Sequence, residues 1–458
     1  MNLGFNPIMG DENIINESDE ENPFLIEEEI LNEQEVLDKQ NEDNPEKDSI
    51  SYDPAQLLSL ADVQELDNKY VLQTYDRMPV HFAYGSGEFL YDSEGKEYID
   101  FLSGIAVTGL GHAHADLVET LTHQADLLWH TSNLFHNQQQ AQLARALVEI
   151  NFPGKVFFSN SGTEANEAAI KMVRAWGEQN SSGDSEKTTI IALKGSFHGR
   201  TFGAMSVTGQ QKVQDGFGNL LSEIRFVEPN NIAELEDAVD DSLCGIILEP
   251  ILGEGGVLPL ELDFFQRARD LCDEHKGLLV LDEIQTGMGR TGTYFAWQRY
   301  EIQPDILTIA KGLGSGFPIG AVLVDEKYTD VFQVGSHGST FGGNHLATAV
   351  GYEVIRLMEA NKVLENVNDM HEYMMNLLNN LMNGYPDKIK EIRGAGLLLG
   401  IVLREDIAAR PLVKKALEKR LIIGRAGDNV IRLAPPLIVR PATIDRAMER
   451  LEELIREI

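Results

Sequence analysis

Short apolar runs alternate with amphipathic stretches through the middle of the chain. The runs that predict buried strands are KVFFSN, TIIALK, CGIILEP, GLLVLDE, DILTIAK and GAVLV, and apolar residues at helical spacing lie among them at 163–177 and 263–275. A continuous apolar run is typical of a strand that is buried on both faces of a parallel sheet. Repeated strand–helix units therefore predict an α/β fold, with a largely parallel sheet and helices on both of its faces.

The segments on either side of this region have a different pattern. Residues 87–104 alternate apolar and polar residues around a turn at 93–96, which predicts a β-hairpin. A long helix is expected after Asn344, and the strings GLLLGIVL and NVIRLAPPLIV predict further strands behind it. We expect residues 56–106 and 346–458 to form a smaller α+β domain beside a large domain of residues 107–345.

The first 55 residues form an acidic, asparagine-rich extension. Residues 1–53 contain 17 Asp or Glu residues against two Lys residues, which is typical of a solvated, disordered tail. The short apolar patch at 24–26 leaves a second interpretation open, a docking peptide centred on Phe24. The acidic composition argues against a mitochondrial or chloroplast transit peptide, which is rich in arginine.

The composition of the whole chain disfavours several classes of function. A net charge of −35 is unfavourable for nucleic-acid binding, which needs a surplus of basic residues. No apolar run reaches the roughly 18 residues of a membrane-spanning helix, so no membrane contact is expected. The two cysteines, Cys244 and Cys272, lie in apolar surroundings without zinc-site spacing. We therefore expect buried thiols, no metal site and a cytoplasmic protein.

The apolar run DILTIA is followed directly by a lysine, Lys311. An isolated ammonium group at the end of a buried strand needs water, a counter-ion or a covalent partner. The run GLLVL is followed by Asp282, and one crossover separates the two strands, so both residues are expected at the same edge of the sheet. A lysine can form an imine with pyridoxal phosphate, and an aspartate can keep the pyridine nitrogen protonated. The pair therefore predicts a pyridoxal-phosphate site.

A phosphate-binding segment is expected after the run KVFFSN. Ser161 and Glu164 have the spacing of a capping box that opens a helix, and Gly162 lets a ligand approach the backbone. Free amides and the helix dipole at such a start suit a phosphate, although an ordinary helix cap gives the same pattern. Farther along, Phe197 offers an aromatic face for a cofactor ring, and Arg200 offers a fork for a carboxylate.

Two other motifs have weaker functional interpretations. GMGRTG at 287–292 matches the G-x-G-x-x-G spacing, but it lies some way beyond its strand and before a short helical stretch, unlike a dinucleotide site. We expect these glycines in a loop over the site or at a subunit contact. His112 and His114 of GHAHAD have no acidic or cysteine partner at metal-ligand spacing and are interpreted as structural residues.

Around these residues the chain resembles the class III pyridoxal-phosphate aminotransferases of fold type I. The resemblance runs from about Leu60 to the C-terminus. The strings that carry it are FLSGIAV (101–107), LWHTSNLFHN (128–137), SGTEANEAAIK (161–171), SFHGRT (196–201), EPILGEGG (249–256), DEIQTGMGRTG (282–292), AKGLGSGFPIGA (310–321), GSHGSTFGGN (335–344) and IRLAPPL (431–437). It implies a mostly parallel seven-stranded sheet sandwiched by helices, as in aspartate aminotransferase, with a smaller α+β domain built from the N- and C-terminal segments.

The resemblance also implies a role for each site residue. Lys311 would carry the cofactor and move the proton, and Asp282 would pair with the ring nitrogen. The other implied contacts are Gln285 with the phenolic oxygen, Phe197 stacked on the ring, Gly162 and Thr163 at the phosphate, Thr340 at the phosphate of the other subunit in a homodimer, Arg200 and Ser339 at the amine substrate, Arg432 at the α-carboxylate of glutamate or 2-oxoglutarate, and Glu254 paired with that arginine.

Within the family, several strings favour one amine donor. FLSGIAV, LWHTSNLFHN and GSHGST favour N2-acetyl-L-ornithine, with 2-oxoglutarate as acceptor, a step of arginine biosynthesis. Ornithine, succinylornithine, 4-aminobutyrate, diaminobutyrate and succinyldiaminopimelate stay open as donors, and so does a glutamate-semialdehyde aminomutase. A protein of another class would bind the cofactor without turnover and be recruited through the acidic tail. The intact set of Lys311, Asp282, Arg200 and Arg432 disfavours it.

Overall fold

The computed structural model describes residues 57–181 and 186–458. The acidic extension predicted for residues 1–55 lies outside them. In chain order the described strands are β1 (Phe82–Ser86), β2 (Phe89–Asp92), β3 (Glu97–Asp100), β4 (Gly154–Ser159), β5 (Thr189–Leu193), β6 (Ile224–Val227), β7 (Leu243–Leu248), β8 (Ile251–Leu252), β9 (Leu258–Pro259), β10 (Leu278–Asp282), β11 (Ile306–Ile309), β12 (Gly320–Asp325), β13 (Ile389–Ala395), β14 (Leu398–Leu403), β15 (Leu421–Ile422), β16 (Gly424–Ala426) and β17 (Val430–Leu433).

Helices precede, separate and follow these strands. In chain order the described helices are α1 (Leu60–Tyr70), α2 (Ser103–Ala106), α3 (Ala115–Leu127), α4 (Gln138–Glu149), α5 (Gly162–Asn180), α6 (Phe202–Ser206), α7 (Gln211–Gln214), α8 (Ile232–Ala238), α9 (Leu262–His275), α10 (Trp297–Tyr300), α11 (His345–Ala360), α12 (Val363–Gly384), α13 (Ala409–Glu418) and α14 (Pro441–Arg456). Over residues 57–181 and 186–458, each helix is too short or too polar to cross a bilayer.

The largest sheet has seven strands in the order β4-β12-β11-β10-β7-β5-β6. Strand β10 runs parallel to β7 and β11, and β5 runs parallel to β6 and β7. Strand β12 is antiparallel to both of its neighbours. The connection from β11 to β12 contains only a 3-10 turn at Lys311–Leu313, which is too short for the helical crossover that a parallel neighbour needs. The predicted α/β fold with a mostly parallel sheet is confirmed.

Helices cover both faces of this sheet. Val280 and Ile306 point into an apolar cluster that also contains residues of α5. Their chain neighbours Leu281 and Leu307 belong to the main core, together with Phe265 of α9. This alternation follows from the period of two along a strand, and it explains why each strand reads as a continuous apolar run. Burying one such side chain stabilises the fold by about 1.5–3 kcal/mol.

Two four-stranded sheets form from the terminal segments, in the orders β1-β2-β3-β15 and β13-β14-β17-β16. The predicted hairpin is the antiparallel pair of β2 and β3. Strand β15 pairs in parallel with β3, so the N-terminal and C-terminal segments meet in one sheet. The expected domain bounds at 56–106, 107–345 and 346–458 stay a prediction. Both cysteines are free and buried, as expected.

Candidate active site

One cavity opens beyond the carboxyl ends of β5, β7, β10 and β11, beside the start of α5. Its volume is about 390 Å³. The predicted site residues that line it are Gly162, Thr163, Phe197, Arg200, Glu254, Asp282, Gln285 and Lys311. This edge of the sheet is where ligands bind in open α/β folds, because the loops after the strands diverge there. Side chains that are far apart in the sequence therefore share one cavity.

Asp282, at the end of β10, is held by donors from two other segments. One carboxylate oxygen accepts hydrogen bonds of 2.7 Å from Asn166 Nδ2 and 2.7 Å from His198 Nδ1. The other oxygen accepts the backbone N–H of Ile284 at 3.1 Å. Asn166 is itself fixed because its amide oxygen accepts the hydroxyl of Thr308 at 2.8 Å. The Asp282 side chain is 3% exposed, so a buried carboxylate is set in one orientation at the cavity wall.

Lys311 begins the turn after β11, in the left-handed backbone region with φ +44°. Strands β10 and β11 pair so that Asp282 is opposite Thr308, which brings the lysine to the same sheet edge as the aspartate. Loss of hydration and, second to it, the charge of the nearby Arg432 lower the pKa of Lys311 to about 8, although the carboxylates of Glu254 and Asp282 act in the opposite direction. An amine with this pKa is partly neutral at physiological pH and can act as a nucleophile or a base.

The first turn of α5 faces the cavity with free backbone amides. Ser161 caps the helix by accepting the N–H of Glu164 at 3.3 Å. The return bond expected in a capping box is different here, because the Glu164 carboxylate accepts the N–H of Asn160 instead of the N–H of Ser161. A Cβ atom at Gly162 would lie 2.8 Å from the Ile284 side chain. A larger residue between the helix start and the loop after β10 would therefore force the Ile284 side chain to shift.

The hydroxyl group of Thr163 joins this helix start to the loop after β5. It accepts the backbone N–H of Arg200 at 3.0 Å and that of Thr201 at 3.3 Å. Gly199 has φ +140°, and a Cβ atom there would lie 2.1 Å from the Thr163 hydroxyl. The guanidinium of Arg200 lies 5.6 Å from the ring centroid of Phe197, and the Arg200 side chain is exposed. An exposed guanidinium at the cavity rim suits a carboxylate.

A buried glutamate, Glu249, ties two loops of the site together. One of its carboxylate oxygens accepts the N–H of Phe197 at 2.8 Å, and the other accepts the N–H of Gly253 at 3.2 Å. Burial raises the pKa of Glu249 to about 7. The carboxylate therefore positions the aromatic ring and the loop that leads to Glu254.

An ion pair between Glu254 and Arg432 forms one end of the cavity. Arg432 Nη1 donates to Glu254 at 2.5 Å, to Gln285 Oε1 at 3.2 Å and to the Gly253 carbonyl at 3.2 Å. Burial favours the neutral acid, but Arg432 and Lys311 hold the pKa of Glu254 below its usual value. The Arg432 side chain is 4% exposed and that of Glu254 is 32% exposed. The glutamate is therefore the more accessible partner of the pair.

Of the predicted site residues, Ser339, Thr340 and Arg432 lie outside the cavity lining, and Arg432 reaches it through its contacts with Glu254 and Gln285. The Ser339 hydroxyl accepts a hydrogen bond of 3.3 Å from Asn160 Nδ2, and Asn160 lines the cavity, so Ser339 lies next to the site. Thr340 is exposed and lines a separate small pocket with His130 and neighbouring residues. The structure thus does not bring Thr340 to the cavity of its own subunit, and its contact with a second subunit stays a prediction.

Three residues of the site had no assigned role in the sequence analysis. Asn166 lies one helical turn after Gly162, so it faces the same way, and a buried asparagine among alanines was the available signal. Thr308 is the polar residue within an apolar strand, and Glu249 follows a strand end just as Asp282 does. Each was visible as a polar residue in an apolar context, but its partner lay on another element.

The two weaker motifs have structural contacts. His112 Nε2 lies 2.7 Å from Asp100 Oδ2, which ties the hairpin to the following loop. The glycine loop at 287–292 packs against helices α11 and α12, where a Cβ atom at Gly289 or Gly292 would collide with Met358 or Asn368. The loop is therefore part of the interior and not a lid over the cavity.

Comparison with known proteins identifies the family. The family model for Aminotransferase class-III matches residues 70–455. The chain is 46% identical over 392 residues to an acetylornithine aminotransferase of Caldanaerobacter subterraneus subsp. tengcongensis. The aligned region covers 86% of this chain and 98% of the relative. It is 42% identical over 401 residues to a succinylornithine transaminase/acetylornithine aminotransferase of Pseudomonas aeruginosa, covering 87% of this chain and 98% of that one.

Solved structures give the same result. The N-acetylornithine aminotransferase of Stenotrophomonas maltophilia K279a matches with a TM-score of 0.74 and 38% identity, over 86% of this chain and 98% of that chain. An ornithine aminotransferase of Toxoplasma gondii, described with partial occupancy of PLP at its active site, matches with a TM-score of 0.84 and 32% identity, over 88% and 95% of the two chains. This chain therefore belongs to the class III aminotransferases.

Proposed function

We propose that this protein transfers the side-chain amino group of N2-acetyl-L-ornithine to 2-oxoglutarate, giving N-acetyl-L-glutamate 5-semialdehyde and L-glutamate in arginine biosynthesis. The observation that carries the proposal is the cavity that brings together a reactive lysine, a buried carboxylate and an arginine: Lys311, Asp282 and Arg200. A second arginine, Arg432, contacts this lining through Glu254 and Gln285. The names of the relatives from Caldanaerobacter and Stenotrophomonas support this donor.

The residues of the cavity fit pyridoxal phosphate. The free amides of α5 with Gly162 and Thr163 suit its phosphate. Asp282 suits its ring nitrogen, because a fixed, buried carboxylate favours a protonated partner. Phe197 provides a flat apolar face for the ring, and the carboxamide of Gln285 suits the phenolic oxygen. The amine of Lys311 would hold the aldehyde carbon.

When bound, the cofactor withdraws electrons from the substrate carbon that bears the amine. The chain supplies the proton transfer. After the substrate amine has displaced Lys311 from the aldehyde carbon, Lys311 Nζ, with its pKa lowered to about 8, would take the proton from the substrate carbon and return it to that former aldehyde carbon, on the other side of the nitrogen. Asp282 stays in place during this transfer, because Asn166 and His198 hold its carboxylate. General acid–base catalysis of this kind typically contributes about 10²–10⁴-fold to the rate.

Two different substrates share the cavity in turn. Arg200 and Ser339 would bind N-acetylornithine, and Arg432 would bind the α-carboxylate of glutamate or 2-oxoglutarate. The pair of Glu254 and Arg432 stays closed while the acylated amine is bound and opens for the dicarboxylate. Arg432 Nη1 donates to Glu254 at 2.5 Å and to Gln285 Oε1 and the Gly253 carbonyl at 3.2 Å each, so movement of the Glu254 side chain removes the charged partner of the guanidinium.

We also infer that the active unit is a homodimer in the cytoplasm. Large apolar side chains are exposed at Trp129, Leu134, Phe135 and Phe341. Phe341 follows the exposed Thr340 in the sequence, and residues 130–133, between Trp129 and Leu134, line the small pocket that also contains Thr340. Covering these side chains with a second copy would remove apolar surface from water and bring Thr340 to a neighbouring cavity. Light scattering gives the mass in solution. Mixing inactive Lys311→Ala and Thr340→Ala subunits should restore part of the activity if sites are shared between subunits.

A spectrophotometric half-reaction tests the activity. The purified protein should show the absorbance of a bound imine, and N-acetylornithine should bleach it faster than ornithine, 4-aminobutyrate or succinyldiaminopimelate. Succinylornithine is the second candidate, because the Pseudomonas relative carries both names. Borohydride should fix the mass of the cofactor on the peptide that contains Lys311. An unlabelled Lys311, or no bleaching by any donor, would refute the proposal.

A further inference from the structure

A second cavity of about 390 Å³ adjoins the first one. Glu254 lines both cavities, and its partner Arg432 lines the second. The ion pair between them is therefore the partition between the two spaces. An opening of this pair, as proposed for the dicarboxylate substrate, would join the second cavity to the one that contains Lys311.

The second cavity has a cationic wall. Arg410 and Lys414 lie one turn apart on α13, so their side chains share a face, and Arg425 lies on β16. Glu254, also in this lining, is paired with Arg432. The carboxylate next to the three other cations is Asp76, which pairs with Arg410 at 2.5 Å and lies 3.9 Å from Lys414. The hydrogen bond from Arg410, with the charges of Lys414 and Arg425, lowers the pKa of Asp76. Three cations around one carboxylate leave the wall positive.

The remainder of this cavity is apolar. Leu102, Ile105, Val413 and Ile423 contribute to its lining. Walls of low dielectric with one sign of charge focus the electric field and raise the local concentration of an oppositely charged ligand. This matters because the net charge of the chain is −35, which disfavours the approach of a dianion in the absence of a local cationic site.

Arg432 also has a donor left for a ligand. Its Nη1 atom is shared among Glu254, Gln285 and a carbonyl, but its buried Nε atom has no hydrogen-bond partner within residues 57–181 and 186–458. A buried, unpaired guanidinium nitrogen is costly unless something fills the position. A carboxylate arriving from the cationic side would satisfy it.

We propose that the second cavity is an entry site for the dicarboxylate oxo acid, where Lys414 and Arg425 attract the dianion before the pair of Glu254 and Arg432 opens. This inference rests on the proposed function, because it takes a dicarboxylate as the second substrate. N-acetylornithine carries one carboxylate and one ammonium group, so its net charge is zero. The entry site therefore speeds one half-reaction and leaves the other unchanged.

The test compares charge variants in the holoenzyme. Lys414→Gln with Arg425→Gln removes two charges from the cavity, and Lys327→Gln with Lys362→Gln removes two charges from exposed positions that line neither cavity. Calorimetry gives the affinity for glutarate, an unreactive dicarboxylate. At low salt we expect the cavity variant to bind glutarate about tenfold more weakly than the control variant, and the difference to shrink at high salt as the charges are screened.

Stopped-flow kinetics separates the two substrates. In the cavity variant, kcat/KM for 2-oxoglutarate with the aminated enzyme should fall about tenfold at low salt, whereas kcat/KM for N-acetylornithine should match the control. An equal loss of kcat/KM for 2-oxoglutarate in the cavity variant and the control variant would overturn the proposal. So would an equal loss of kcat/KM for both substrates in the cavity variant. The aminated enzyme can be prepared with glutamate as the amine donor. The measurement with 2-oxoglutarate is therefore still possible if N-acetylornithine is not the natural donor. Failure of every substrate in the unmodified protein would instead refute the proposed function.

Discussion

The ion pair of Glu254 and Arg432 gives the most direct test of how one cavity serves two substrates. In the proposed mechanism, glutamate needs the guanidinium that Glu254 occupies at 2.5 Å, whereas N-acetylornithine does not. A hydrogen bond between charged groups contributes about 1.5–3 kcal/mol. The Glu254 side chain is 32% exposed, which favours the lower end of that range. Glutamate must break this hydrogen bond before it binds Arg432, and Glu254→Ala removes the free-energy cost of breaking it. A cost of about 1.5 kcal/mol corresponds to roughly a tenfold gain in kcat/KM for glutamate.

The assay measures the two amine half-reactions separately, by the change in cofactor absorbance after rapid mixing. The expected result is a ratio of glutamate to N-acetylornithine efficiency about ten times that of the unmodified protein. Glu97→Ala is the matched control, because Glu97 pairs with Arg446 at 2.6 Å on a surface away from the cavity. An unchanged ratio in Glu254→Ala, with the fold intact by thermal unfolding, would show that the pair does not open for glutamate.

Three further predictions concern the buried floor of the site. Asn166→Leu leaves the Asp282 carboxylate without one donor and should lower the free energy of unfolding by about 1–3 kcal/mol, measured in urea; no change would mean that water replaces the amide. Gly162→Ala places a methyl group 2.8 Å from Ile284. This variant should lower the free energy of unfolding by about 1–3 kcal/mol and weaken cofactor binding. Both properties should recover in the double variant that also carries Ile284→Ala. Because the pKa of Lys311 is lowered to about 8, the fraction of Lys311 in the neutral amine form increases with pH. The rate of cofactor uptake by the apoprotein should therefore rise up to about pH 8 and level off above it. A rate independent of pH would contradict this.

Local sequence patterns were sufficient for the chemical centre. Lys311 and Asp282 each follow a buried apolar run, and one crossover between the runs places both at one sheet edge. This inference needed only strand periodicity and the rules of parallel sheets. The helix start at Ser161 was equally local, although the return bond from Glu164 went to a different amide.

Long-range contacts were beyond such patterns. The antiparallel direction of β12 depends on the length of a loop, and strand β6, a short edge strand, has too few apolar residues to stand out. Arg432 lies on a strand far along the chain from Glu254, and only the family resemblance indicated their pairing. Asn166 became significant once the structure showed that its amide joins Asp282 to Thr308.

The fixed carboxylate of Asp282 has a consequence for how the protein can diversify. Its orientation is set during folding by side chains from α5 and from the loop after β5. The carboxylate has therefore already lost its conformational entropy when a ligand arrives, and binding does not have to order it. Arg200, which we propose binds the amine substrate, lies instead at the exposed rim of the cavity. New substrate preferences can therefore arise by exchange of rim side chains, while the reaction itself is inherited unaltered from the interior.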